Sequence, residues 1–195
     1  MVSGMAGISG KSEHDPDVMS FVEVAQDFCR LLERKTRLST RGFLGRVLKS
    51  TVALYRAGLT LPNVDPGYHP GGEWFEKNKG LPIQEQLRLH PKIQEHSRRN
   101  KLILGKIERS LGGELWYQIV FDPFQDRKTV SSSLSDDLAD IYCDVKEGLL
   151  NLKSSRRVSA SVIWQWKCDF ESHWGRHAVS AINAMHCRLY SVPFA

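Results

Sequence analysis

Two histidines, His173 and His177, stand four residues apart in the segment DFESHWGRHA, and three aspartates, Asp137, Asp140 and Asp144, recur upstream at three- and four-residue spacing. Imidazoles at i and i+4 share one face of a helix. Two of them plus one or two carboxylates form a ligand set for zinc, manganese or iron, and a water on such a metal is a usable nucleophile. The candidate metal ligands are His173, His177, Asp137 and Asp144. The same residue types have a second use, because histidine and aspartate satisfy each other's hydrogen bonds where two helices cross. The H-E-x-x-H and E-x-x-H signatures of helical metalloenzymes are missing from this sequence, so spacing alone favours the packing role.

Other chemistries find no footing. The sequence has no nucleophile elbow, P-loop or G-x-G-x-x-G, and no cysteine beside a basic group that reads as an activated thiol, so no catalytic residue is assigned. Cys29, Cys143, Cys168 and Cys187 lack C-x-x-C spacing and fall within helical apolar patterns, which reads as reduced, packing cysteines. No organic cofactor is called for; a divalent metal is the one candidate.

These side chains must be positioned by helices. Asp15 followed by Pro16 reads as a cap and first turn, and Val18, Phe21, Val22, Ala25, Phe28, Cys29 and Leu32 continue at helical spacing. A second helix runs from Thr40 as cap candidate through Phe43, Leu44, Val47, Leu48, Thr51, Leu54 and Tyr55, with Gly58 and Pro62 as stop signals. The stretch 63–82 is rich in Pro, Gly and Asn and reads as irregular. Helices are then expected over Ile83–His90 and Lys92–Leu111, parted by Pro91. Trp116–Phe121 favours extended structure but has no evident partner, so it is expected to lie across helices.

Two long helices should close the chain, about Leu134–Lys153 and about Ser159–Tyr190. In the first, Leu134, Leu138, Ile141, Val145, Leu149 and Leu152 form the core face, with Asp137, Asp140, Asp144 and Gly148 on its flank and Asp136 and Glu147 further out. Ser133 and Ser135 are cap candidates. In the last helix Ile163, Trp166, Phe170, Trp174, Ala178, Ala181 and Met185 form the stripe, and His173 and His177 lie beside it. Trp166 and Trp174 read as core, whereas Trp164 falls off the stripe. Antiparallel packing of these two helices would bring the histidines to the aspartates.

The result is an all-α, single-domain helical bundle of about five to seven helices with one short extended segment, spanning 15–192 after a disordered tail at 1–14. Hydrophobic residues at 41% and charged residues at 25% are ordinary for a globular chain, so it should fold without disulfides. With no signal-peptide h-region and no bilayer-length apolar run, a cytoplasmic address is expected.

Charge is unevenly spread. Lys77–Arg109 carries nine Lys/Arg against three Glu, more than the whole-chain balance of +5, while Ser135–Glu147 carries five acids against Lys146 alone. Such polarity bears on partners. Arg88, Lys92, Arg98, Arg99, Lys101 and Lys106 would suit an acidic protein partner, and Asp136 and Glu147 a basic one. Arg98, Arg99, Lys101 and Lys106 could also hold nucleic-acid phosphates without reading sequence, although Glu85, Glu95 and Glu108 interrupt them.

The motifs FDPF at 121–124, SLSDDLADIY at 133–142, KEGL at 146–149, and WQW followed by FESHWGRHA within 164–178 together resemble an uncharacterised bacterial family, domain of unknown function 5063. The resemblance spans about Phe21–Tyr190 and implies a compact, mainly helical cytoplasmic protein. It carries over no catalytic residue. The leading functional expectation is a non-enzymatic protein-interaction module, of adaptor, regulatory or immunity type. The alternatives are a metal-dependent hydrolase or oxidoreductase at the His/Asp seam, and a sequence-independent nucleic-acid binder through 88–109.

Overall fold

The computed structural model describes residues 15–67, 72–120, 122–125, 127–152 and 158–191. The tail expected at 1–14, Phe121 of the FDPF motif and the expected helix end at Lys153 lie outside them. The architecture is mainly helical with one two-stranded sheet: α1 (Pro16–Glu33), α2 (Thr40–Thr60), α3 (Gly72–Lys77), α4 (Ile83–Leu89), α5 (Pro91–Leu111), β1 (Trp116–Val120), β2 (Thr129–Ser133) and α6 (Leu134–Asn151). The last long helix is bent, and comprises α7 (Ala160–Asp169), a π-helical turn (Phe170–Trp174) and α8 (Gly175–Tyr190). No helix among the described residues is long and apolar enough to cross a membrane.

The starts of the first helices follow from capping chemistry. Asp15 accepts a hydrogen bond from the Asp17 amide at 2.9 Å, with Pro16 in the first turn. In α2 the cap is Ser39, which accepts from the Gly42 amide at 3.2 Å; the expected cap, Thr40, is the first helical residue instead. Either hydroxyl could serve from sequence, and only the backbone geometry separates neighbours. Pro91 opens α5 rather than merely parting two helices, because its missing amide hydrogen costs nothing in a first turn.

The core is shared by the helix faces read from periodicity. Phe21, Phe28, Phe43, Leu54, Leu138, Ile141, Ile163, Trp166, Trp174 and Met185 are all fully buried. The Phe21 ring sits 4.9 Å from the Trp166 ring and 6.2 Å from that of Trp174, tying α1 to both halves of the bent helix. Trp166 crosses α6 at Gly148, where a Cβ would overlap the indole, and donates its Nε1–H to the Val145 carbonyl at 3.1 Å. Gly148 is therefore the close-approach point that its position beside the aspartates suggested.

Three expectations need correction. The extended segment does have a partner: β1 pairs antiparallel with β2, Trp116 opposite Ser133 and Val120 opposite Thr129. The second strand is hidden because Ser131, Ser132 and Ser133 carry no strand preference, and its register is held by pairing rather than by side-chain type. Within the stretch expected to be irregular, Gly72–Lys77 forms the short α3. Cysteine packing holds for the buried Cys29 and Cys143, whereas Cys187 is exposed on the outer face of α8 and Cys168 is half-buried; all four are free thiols.

Candidate metal centre

The helix that carries both histidines is not a regular α-helix. Trp166, Phe170, Trp174 and Ala178 are four residues apart, and four α-helical residues turn about 400°, so an unbroken α-helix would rotate this stripe off the core by about 40° per step. The wide turn over Phe170–Trp174 absorbs that drift, and all four residues remain buried. Its geometry demands Gly175, because a Cβ there would collide with the Phe170 carbonyl oxygen. π-helical turns frequently occur at functional sites, and this one contains His173.

Across from it, α6 presents Asp137, Asp140 and Asp144 one turn apart. Nδ1 of His177 lies 2.7 Å from Asp137 Oδ1, and Nδ1 of His173 lies 2.7 Å from Asp144 Oδ2. His177 Nε2 is 3.8 Å from Asp140 Oδ2. The two imidazole rings meet edge to face with centroids 4.8 Å apart. One ligand atom from each of Asp140, His173 and His177 lies within 4.8 Å of the others, the one such trio of metal-binding residue types among the described residues.

The remaining elements hold this seam in place. Almost wholly buried, Asp137 also accepts hydrogen bonds from the Tyr117 hydroxyl of β1 and from Ser132 Oγ of β2 at 3.3 Å. From α5, Asn100 Nδ2 donates to Asp140 Oδ1 at 2.8 Å, His96 Nε2 stands 3.5 Å from Asp144 Oδ1, and Arg99 pairs with Glu147 at 3.1 Å. Sequence reading missed His96, Asn100, Tyr117 and Ser132. A signal existed for the first two: the buried stripe Leu111, Ile107, Ile103 continues backwards at helical spacing into Asn100 and His96, polar residues at core-facing positions.

Electrostatics follow from this crowding. Burial alone would raise Asp144, but the hydrogen bonds from His173 and His96 outweigh it and hold the carboxyl below its ordinary value. Those same hydrogen bonds raise His173 and His96 above the usual imidazole range. Asp140 is raised, first by burial and then by the neighbouring Asp136 and Asp144. Asp169, one turn before His173, is pushed up to about 6, chiefly by burial. Burial also drives the Cys29 and Cys143 thiols up to about 12, which leaves neither as a nucleophile near neutral pH.

The basic stretch is not one continuous surface. Arg99 is largely buried between Glu147 and Glu95, Arg98 pairs with Glu95 at 2.9 Å, and Arg88 pairs with Glu85 at 3.2 Å. Lys92, Lys101 and Lys106 stand exposed with no carboxylate within ion-pair distance among the described residues, and Asp136 is exposed on α6.

With the fold and seam in view, comparison with known proteins places the chain. The sequence model of a family described as a domain of unknown function, DUF5063, matches residues 12–191. The chain belongs to the DUF5063 family. Its fold is similar to the crystal structure of protein BF1032 from Bacteroides fragilis, with a TM-score of 0.65 at 21% identity, covering 93% of this chain and 97% of that one. No curated protein matches the sequence. At this identity the solved structure speaks to the fold alone, so function must be argued from the seam.

Proposed function

We propose that this protein is a metal-binding helical domain in which Asp140, His173 and His177 hold a divalent transition metal. The observation that carries the reading is the use of the imidazole nitrogens. Each ring gives Nδ1 to a carboxylate, Asp144 or Asp137, which leaves Nε2 for another partner. Histidines that bind metals are commonly oriented in this way, with an outer carboxylate fixing the tautomer and raising ligand basicity. Asp137 and Asp144, ligand candidates from spacing, become orienting groups, and Asp140 becomes the carboxylate ligand.

The donor set of two imidazoles and one carboxylate suits zinc, and with open positions suits Fe(II). Bonds of about 2.0–2.2 Å place tetrahedral ligand atoms about 3.4 Å apart, so the trio, within 4.8 Å now, would close by up to about 1.4 Å on binding. A cation would also favour the charged form of Asp140, which burial and then the neighbouring carboxylates disfavour. Three protein ligands leave a position for water, the position a hydrolase or oxidoreductase of this kind would use.

The test is elemental analysis of untagged protein after dialysis against Zn2+, Mn2+ or Fe2+. The expected result is about one equivalent of metal in the wild type, lost in His173→Ala/His177→Ala and in Asp140→Ala. Folded wild-type protein that takes up no metal, or variants that bind as well as it does, would overturn the reading.

A second reading, a protein-interaction module, is supported by the α4–α5 arm. There Ile83, Leu87 and Ile93 are exposed beside Arg88, Lys92, Arg98 and Lys101. An acidic partner with an apolar centre would complement that face. A photo-crosslinker at position 93 should then capture one acidic protein, and Arg98→Glu/Lys101→Glu should abolish the product; a product insensitive to that reversal would count against this reading.

A further inference from the structure

Several basic residues with no ion-pair partner among the described residues converge elsewhere, at the connection between α1 and α2. A cleft of about 530 Å³ opens between residues 34–40 and the last turns of α5, walled by Arg34, Lys35, Lys106 and Arg109. None of these four cations has a carboxylate within ion-pair distance among the described residues. Glu33, the one acid in the wall, is hydrogen-bonded by Lys146 and the Tyr142 hydroxyl and feels Lys106 only at longer range. A second cleft of about 750 Å³ shares Arg34 and Lys35 and continues to Arg37, Arg46 and Lys49; its one carboxylate, Asp27, is paired with Arg30. None of these residues belongs to the His/Asp seam.

Cations gathered with so few carboxylates among them repel one another, and an anion would remove that cost. The rest of the wall names the kind of anion. Thr36, Thr40 and Ser110 line it with hydroxyls, and Thr40 begins α2, whose first amides carry the partial positive charge of a helix start. Arginine forks, lysines and hydroxyls are the groups that hold phosphate oxygens. The residues lining either cleft include no aromatic side chain, so stacking of nucleobases is not provided. The volume suits a small molecule rather than a strand. The two clefts, joined at Arg34 and Lys35, offer places for more than one phosphate.

We propose that the cleft between the α1–α2 connection and the end of α5 binds a small ligand bearing two or more linked phosphate groups, gripped by Arg34, Lys35, Lys106 and Arg109.

The probes are inorganic tripolyphosphate, orthophosphate and a twelve-nucleotide oligothymidylate, titrated calorimetrically into the full untagged chain near physiological ionic strength. Tripolyphosphate should bind with one-to-one saturation and at least about tenfold more tightly than orthophosphate. Arg34→Ala and Lys106→Ala should each weaken it by about fivefold or more, at exposed positions where the fold does not depend on them. Arg98→Ala/Lys101→Ala, which removes charge from another face, should leave it unchanged. Absence of saturable tripolyphosphate binding, equal loss in the control pair, or tighter binding of the oligonucleotide would each overturn the proposal. The last outcome would assign this face to nucleic acid.

Discussion

His177 Nδ1 lies 2.7 Å from Asp137 across 40 residues of chain, and Asp137 is a mere 3% exposed. The carboxylate also takes the hydroxyls of Tyr117 and Ser132, so one buried charge joins the last helix, the hairpin and α6. A buried carboxylate survives only when its lone pairs are filled, and here three elements fill them.

Asp137 should therefore cost more to remove than any one of its partners. Asp137→Ala leaves Tyr117, Ser132 and His177 without their acceptor, and a loss of about 3 kcal/mol is expected, against about 1–2 kcal/mol for Tyr117→Phe. Chemical denaturation of the two variants measures the difference. Equal midpoints would mean that the hairpin and the last helix do not depend on a common anchor.

The wide turn should be equally sensitive. Gly175→Ala puts a methyl against the Phe170 carbonyl, which the turn can accommodate only by tightening toward α geometry and rotating His173 away from Asp144. The expected loss is about 1–3 kcal/mol, accompanied by a fall of the His173 pKa toward its ordinary value as the hydrogen bond that raises it is lost. NMR titration of the histidines in this variant reads both effects. An unchanged His173 titration would show that the seam does not need the π-helical turn.

Much of this arrangement was legible before the structure. The stripe from Ile163 to Met185 identifies the buried face of the last helix, and the offsets of His173 and His177 from it, set against those of Asp137 and Asp144, give both short contacts once antiparallel packing is assumed. Two things were not legible, for different reasons. The division of labour among the three aspartates depends on which imidazole nitrogen each meets, an angular matter of a few ångströms that spacing does not encode. The hairpin depends on Thr129–Ser133, where partner and turn specify a strand that local preference does not. A run of cations in sequence is also not one surface in space: Arg88, Arg98 and Arg99 find carboxylates, while Lys106 and Arg109 line a cleft with residues of the α1–α2 connection.

Protons and metal should pull the seam in opposite directions. His173 and His96 have folded-state pKa values above the unfolded one, so the stability they contribute is complete below about pH 6.5 and is lost as pH rises through their raised values. Asp144 is shifted down, so its contribution is present above about pH 4 and disappears as pH falls through its lowered value. Without metal, the stability advantage of the wild type over Asp144→Asn should therefore be greatest between about pH 4 and pH 6.5 and shrink toward pH 8.5. The burial that raises the carboxyls of Asp140 and Asp169 is common to both proteins and cancels in that difference, leaving the smaller part that the Asp144 charge adds to each. Metal requires neutral imidazoles, so the rise in Tm on adding Zn2+ should grow from pH 6 to pH 8 and be absent in Asp140→Ala. Thermal melts over this grid separate the two roles. A wild-type advantage that fades with pH, with no zinc response at pH 8, would make the histidines packing groups alone, whereas a zinc response confined to the wild type would assign their free nitrogens to the metal.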